Sequence, residues 1–93
     1  MITQVRLTER ARKGLDKVPQ HVALKLLAWV EAVETDGLEV VRRIPGFHDE
    51  ALKGTRLGQR SIRLSRAYRA FYVIRHDGHV DFVSVEEVNK HEY

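Results

Sequence analysis

The hydrophobic pattern of this chain changes its period near Gly54, and that change limits the folds open to it. Between Pro19 and Gly37, apolar residues recur at the spacing of one helix face. From 59 to 65, and again from 68 to 74, the pattern and the residue types are those of strands. Helical periodicity followed by strand periodicity predicts an α+β domain.

The first half of the chain predicts a strand and two helices. A weak alternation at 2–7 indicates the strand, and Thr8 supplies an N-cap for a helix that runs to Lys17. Gly14 lies inside that helix, where it costs about 1 kcal/mol relative to alanine. The clearer helix spans 19–36 and ends at Gly37. The two helices, joined near Pro19, form a hairpin.

The second half predicts a connecting segment and three strands. Residues 38–50 contain breakers and read as a connection with a short extended piece at 39–42. Strands follow near 60–65, at 68–74 and at 79–85, the last two joined by an Asp-Gly turn. The predicted fold is an α+β domain over 1–93, with an N-terminal strand and two-helix hairpin packed on an antiparallel meander. The sheet face away from the helices is left for a partner or substrate.

Composition excludes several classes of function. The 93 residues suffice for one small core and include no cysteine, so disulfides and thiolate sites are excluded. No apolar run approaches the roughly 20 residues of a membrane span, and the N-terminus lacks the apolar core of a signal peptide. We therefore expect a cytoplasmic protein that does not contact membranes.

Positive charge is concentrated in one segment. Residues 1–50 hold eight basic and eight acidic residues, whereas 51–93 hold eight basic and five acidic, which accounts for the net charge of +3. The run from Lys53 to Arg69 contains six basic residues and no acidic one. Such a run indicates a phosphate-bearing partner, although a solvated sheet face is the alternative reading.

The stretch LKGTRLGQRSIRLSRAYRAFYVI, with the ending VEEVNKHEY, resembles the RelE/ParE superfamily of type II toxin–antitoxin toxins, nearest its HigB-like and RelE-like branch. The predicted element order is also the order of that family. The resemblance implies a ribosome-dependent mRNA interferase. Such an endoribonuclease cleaves without a metal, by attack of a ribose 2'-OH on the adjacent phosphate.

That reaction needs groups that accept and donate protons and cations that stabilise the phosphorane. Arginine keeps its proton, so it suits only the last role. By position in the resemblance, the catalytic candidates are Lys53, Arg69, His91 and Tyr93. The candidates for binding RNA phosphates are Arg56, Arg60, Arg63, Arg66 and Lys90.

Histidines elsewhere carry weaker signals. The upstream histidine of the family is matched by His48 only with a length difference before Lys53. His76 and His79 flank the predicted hairpin turn without a third ligand, so we expect neither a metal site nor a cofactor.

The resemblance also implies partners. These are a cognate antitoxin, commonly of helix-turn-helix type, the ribosome and messenger RNA, with DNA contacted only through the antitoxin complex. Two other functions stay open. One is a ParE-like toxin that inhibits DNA gyrase, and the other is an inactive nucleic-acid-binding module.

Overall fold

The computed structural model describes residues 1–90 and places three helices beside a five-stranded sheet. The elements are β1 Gln4–Leu7, α1 Glu9–Leu15, α2 Gln20–Asp36, α3 Leu38–Val41, β2 Glu50–Ala51, β3 Arg60–Arg63, β4 Tyr68–Asp77 and β5 Val80–Lys90. Two short 3-10 turns, Pro45–Phe47 and Gly54–Arg56, precede β2 and β3. The predicted α+β class is confirmed.

The sheet is mixed, with strand order β1-β5-β4-β3-β2. Strands β2 to β5 pair antiparallel, which confirms the predicted meander, and the Asp77-Gly78 turn joins β4 to β5. Strand β1 pairs parallel with β5, with Val5 opposite Val83. The N-terminal strand therefore closes one edge of the sheet beside the last strand.

One hydrophobic core fills the space between the helices and the sheet. Helix α2 contributes its buried stripe, Val22, Leu26, Trp29 and Val33, at the predicted spacing. The Trp29 ring meets Tyr72 of β4 with 5.2 Å between ring centroids. Helix α1 starts where predicted, because the Thr8 hydroxyl accepts a hydrogen bond from the Ala11 amide at 3.1 Å.

The extended piece predicted at 39–42 is wrong. Gly37 ends α2 at a φ of +88°, and α3 follows immediately. The valines at 40 and 41 favour a strand by propensity, but Leu38 and Val41 are both fully buried and stand three apart, as one helix face requires. Burial overrides local preference here.

Several strand bounds also differ from the prediction. Strand β3 ends at Arg63 rather than Ser65, and β4 runs to Asp77 rather than Ile74. The last strand runs to Lys90 rather than Val85. A register shift between Phe71 and Tyr72, opposite Glu87 and Val85, interrupts the alternation and hides the continuation. Strand β2 has only two residues and was not predicted. Among residues 1–90, no helix has the length and apolar content needed to cross a membrane.

Candidate functional site

Strand register defines the sheet face opposite the helices, here called the open face. Residues that are directly opposite on neighbouring strands project to the same side of a sheet. One row across the open face consists of Glu50, Ser61, Phe71 and Glu87. The next row consists of Arg63, Arg69 and Asn89.

Arg69 is the centre of the second row. Its Nη1 donates to Glu50 Oε1 at 2.9 Å, and its side chain is 18% exposed. Arg63 stands directly opposite on β3, is exposed, and makes no ion pair with residues 1–90. Two like charges facing each other across a strand pair repel, so this position favours an anion between them.

His48 approaches the same carboxylate from the connecting segment. Its Nε2 lies 3.9 Å from Glu50 Oε2. Among residues 1–90, His48 is the one non-glycine residue with a positive φ, at 49°. Such a conformation is uncommon outside glycine and is often found at functional sites. Glu50, Arg69 and His48 thus gather titratable and cationic groups at one point of the open face.

Arg56 covers the first row. Its guanidinium carbon lies 4.0 Å from the centre of the Phe71 ring, and its Nη1 donates to Glu87 Oε2 at 2.7 Å. Arg10 of α1 contacts the other oxygen of Glu87 at 2.7 Å. The hydrogen bond from Arg56 holds the pKa of the Glu87 carboxyl below its ordinary value. The Glu87 carboxylate therefore holds the guanidinium groups of Arg56 and Arg10.

Arg60 lies apart from this group, because it belongs to a row that faces the helices. Its register partner is the buried Tyr72, and its Nε donates to Asp49 Oδ1 at 2.7 Å. The Asp49 side chain is 0% exposed and also accepts a hydrogen bond from the Tyr72 hydroxyl. Burial, and then the bond to Asp49, raises the pKa of Tyr72 above its ordinary value. Arg60 thus anchors the segment before β2 to the core.

The remaining residues predicted to act in catalysis or phosphate binding lie elsewhere on the molecule or outside the described residues. Lys53 is exposed at the start of the second 3-10 turn, three residues after Glu50. Arg66 is exposed in the turn between β3 and β4. Lys90 is the register partner of Tyr68, on the helix side of the sheet. His91 and Tyr93 lie outside the described residues.

The histidines at the hairpin have an ordinary setting. His76 Nδ1 lies 2.5 Å from Asp81 Oδ1 across the strand pair. Within residues 1–90, no three or more histidine, aspartate or glutamate side chains are grouped to hold a metal ion.

Sequence reasoning missed Glu50, Asp49 and Glu87. It searched the basic run for chemistry, whereas the carboxylates lie before and after that run and only the fold brings them to it. A usable signal was the adjacent pair Asp49-Glu50. Where such a pair stands at the start of a strand, the alternation of side chains turns one member toward the core and the other outward.

These observations define a small α+β protein with a basic, carboxylate-paired sheet face. No protein-family model and no curated protein matches the chain. Solved structures do match the chain, and the three described in the next paragraph are toxins or toxin–antitoxin complexes. The chain therefore has the fold of the RelE/ParE toxins.

Three structures illustrate the likeness. The RelBE2 toxin–antitoxin complex of Mycobacterium tuberculosis has 23% identity and a TM-score of 0.68, over 98% of this chain and 100% of that one. The archaeal RelE-RelB complex of Pyrococcus horikoshii has 20% identity and a TM-score of 0.69, over 97% and 96%. The YoeB/ParE toxin of Agrobacterium tumefaciens has 17% identity and a TM-score of 0.69, over 96% and 99%. The placement nearest the HigB-like branch stays a prediction.

Proposed function

We propose that this protein is the toxin of a type II toxin–antitoxin pair and cleaves messenger RNA on the ribosome. The observation that carries the proposal is the facing pair Arg63 and Arg69, with the Glu50 carboxylate 2.9 Å from Arg69. In this arrangement the two arginines can bind a phosphate group, and the carboxylate can accept a proton from a neighbouring hydroxyl. The toxins that share the fold add support.

The proposed reaction is a transesterification at the phosphodiester bond of the messenger. Glu50 takes the proton of a ribose 2'-OH as the oxygen attacks the adjacent phosphorus. The O2'–P bond forms, the P–O5' bond breaks, and the 5'-oxygen takes a proton from a general acid. The products are a 2',3'-cyclic phosphate and a free 5'-OH.

Arg69 is suited to the charge that develops on the phosphorane. Its guanidinium is fixed by Glu50, and a permanent cation placed before the reaction stabilises a new negative charge without reorganisation. A bound phosphate competes with Glu50 for Arg69, which frees the carboxylate to act as a base. Arg63 holds the second phosphate oxygen.

The general acid comes from Lys53, His91 or Tyr93. Lys53 is exposed and lies three residues after Glu50 in sequence, and its ammonium group carries protons that it can donate. His91 is a candidate by residue type, because a histidine side chain can both accept and donate a proton near neutral pH.

A cognate antitoxin is the partner that the solved relatives suggest, since two of them are complexes of a toxin with its antitoxin. The open face is the surface that such an antitoxin must cover or block. Inhibition of DNA gyrase is the second candidate function, because one relative is described as a YoeB/ParE toxin.

The test is induced expression with primer extension on a translated reporter messenger. Wild-type protein is expected to give new 5' ends inside codons, and these ends are expected to vanish in Arg69→Ala and Lys53→Ala and when translation is blocked. Growth arrest with an intact messenger and DNA breaks dependent on gyrase would instead favour the second candidate.

The matched control is Arg43→Ala, which removes an exposed arginine that belongs to neither row of the open face. It is expected to cleave as the wild type does. Circular dichroism on each variant separates loss of chemistry from loss of fold.

A further inference from the structure

A second basic surface lies outside the open face. A groove of about 440 Å³, the α1–β5 groove, opens between α1 and the end of β5. Its cationic residues are Arg10, Lys13, Lys17 and Lys90. No acidic side chain is among the described residues that line it. Its volume lies within the range of small-molecule and nucleotide sites.

The charge of the groove is only partly neutralised. Arg10 contacts Glu87 at 2.7 Å, and Lys13 contacts Glu9 at 3.5 Å in a fully exposed setting that contributes little. Lys17 and Lys90 make no ion pair with residues 1–90. Unpaired cations on both walls of one groove favour an anionic ligand.

The cations form a row rather than a single point. Arg10 and Lys13 share one face of α1, and Lys17 lies in the turn directly after that helix, so the row extends beyond one helical turn of about 5 Å. A row of that length exceeds one phosphate group and suits successive phosphates of a chain. Lysines bind phosphates as mobile point charges, without selecting a sequence.

The groove continues from the open face. Asn89, which lines the groove, is the register partner of Arg69. Arg10, which also lines the groove, contacts Glu87 of the open face at 2.7 Å, so the groove and the open face meet at the edge of β5. Tyr68 lines the groove from the helix side and offers an aromatic ring for stacking there. A strand with one phosphate at Arg69 therefore reaches the groove around the edge of β5 at Asn89.

We propose that the α1–β5 groove binds the sugar-phosphate backbone of the RNA strand whose neighbouring phosphate lies at Arg63 and Arg69. The proposal rests on the proposed function in taking RNA as the nucleic acid. An acidic protein segment also complements the charge, but the continuity with the Arg63 and Arg69 pair favours a ligand that serves both sites.

The test is the affinity of the full chain for a fluorescent single-stranded oligonucleotide with 2'-O-methyl riboses, which cannot be cleaved. Lys13→Gln with Lys17→Gln is compared with Arg12→Gln and Arg43→Gln, two exposed arginines that do not line the groove. Both double variants lower the net charge by the same amount.

On a single strand, each phosphate contact contributes about 0.7 to the slope of log K against the logarithm of the salt concentration. The groove variant loses two lysines, so its slope is expected to be shallower by about 1.4. The control variant is expected to keep the wild-type slope. Equal slopes in the two double variants, or no binding by the wild type, would overturn the groove proposal. Retained groove-dependent binding without cleavage would leave the groove in place and count against the proposed function alone.

Sedimentation with empty and with messenger-programmed ribosomes distinguishes messenger from ribosomal RNA as the occupant of the groove. The groove variant is expected to lose affinity only for programmed ribosomes, because the strand at Arg63 and Arg69 is the messenger. An equal loss with empty ribosomes would place ribosomal RNA in the groove and overturn the proposal. An unchanged ribosome affinity, together with weakened binding of an acidic protein partner, would overturn the proposal in favour of a protein ligand.

Discussion

At the residue scale, Glu50 combines two properties that a catalytic base needs. It is held by Arg69 at 2.9 Å and yet remains 42% exposed, so a substrate hydroxyl can reach it. The buried Asp49 next to it is bonded to Arg60 and Tyr72, which fixes the backbone from which Glu50 projects. The positions of the two carboxylates are therefore linked.

Glu50→Gln is expected to lower the rate of messenger cleavage by about 10²- to 10⁴-fold, the usual contribution of a general base. The amide oxygen of glutamine still accepts from Arg69, so the fold and RNA affinity are expected to persist. Single-turnover cleavage on programmed ribosomes measures the effect. Glu34→Gln, on the exposed side of α2, is the control. Full activity in Glu50→Gln would remove Glu50 from the mechanism.

Glu87 gives the protein a stability that depends on pH. Its pKa lies below the ordinary 4.5 because of the bond from Arg56, so its contribution is complete above that value and is lost as pH falls through the lowered pKa. From about pH 5 to about pH 3, the wild type is expected to lose more thermal stability than Glu87→Gln.

Thermal unfolding at several pH values measures that difference. Glu31→Gln, which removes an exposed carboxylate of α2, is expected to follow the wild-type curve. Parallel curves for the wild type and Glu87→Gln would show that the Arg56–Glu87 bond does not contribute to folding.

At the element scale, the sequence predicted those elements whose pattern is set by residues close together in the chain. The stripe of α2 and the Asp-Gly turn between β4 and β5 were predictable, because each depends on residues close in sequence. Strand β2 and the buried position of Asp49 were not. Both depend on pairing with β3 and contact with Tyr72, which are distant in sequence. The arginines of the candidate site could therefore be named from sequence, but the carboxylates that contact them could not.

Gly14 in α1 is another residue whose role depends on a contact that is distant in sequence. Its helix propensity is poor, but a Cβ at this position would lie 2.7 Å from the carbonyl oxygen of Val88. The absence of a side chain lets α1 pack directly on β5, at the floor of the α1–β5 groove. Close packing between elements explains a residue that local preference disfavours.

Gly14→Ala is expected to lower the free energy of unfolding by about 1–2 kcal/mol, because an overpacking cost of about 2–3 kcal/mol outweighs the gain of about 1 kcal/mol in helix propensity. Gly46→Ala is the matched control, because its added Cβ meets no atom within 4 Å. Urea unfolding followed by circular dichroism measures both. A Gly14→Ala variant as stable as the wild type would mean that α1 moves away from β5 at little cost.

At the scale of the whole molecule, the net charge of +3 understates the positive charge that the surface presents to a polyanion. The first half of the chain is neutral overall, yet α1 contributes Arg10 and Lys13 to a surface that the basic second half completes. Carboxylates on the open face, by contrast, pair with Arg56 and Arg69. A phosphate strand must therefore exchange with Glu50 and Glu87 on the open face. In the groove it exchanges with the carboxylates that contact Arg10 and Lys13, whereas Lys17 and Lys90 make no ion pair with residues 1–90.

That distribution predicts a strong effect of salt on RNA affinity. If at least three phosphates are bound, raising monovalent salt from about 50 mM to about 200 mM is expected to weaken binding at least about 15-fold. Fluorescence anisotropy with the uncleavable oligonucleotide measures the change, and thermal unfolding over the same range controls for any loss of fold. An affinity independent of salt would mean that stacking and packing, rather than the arginines and lysines, hold the strand.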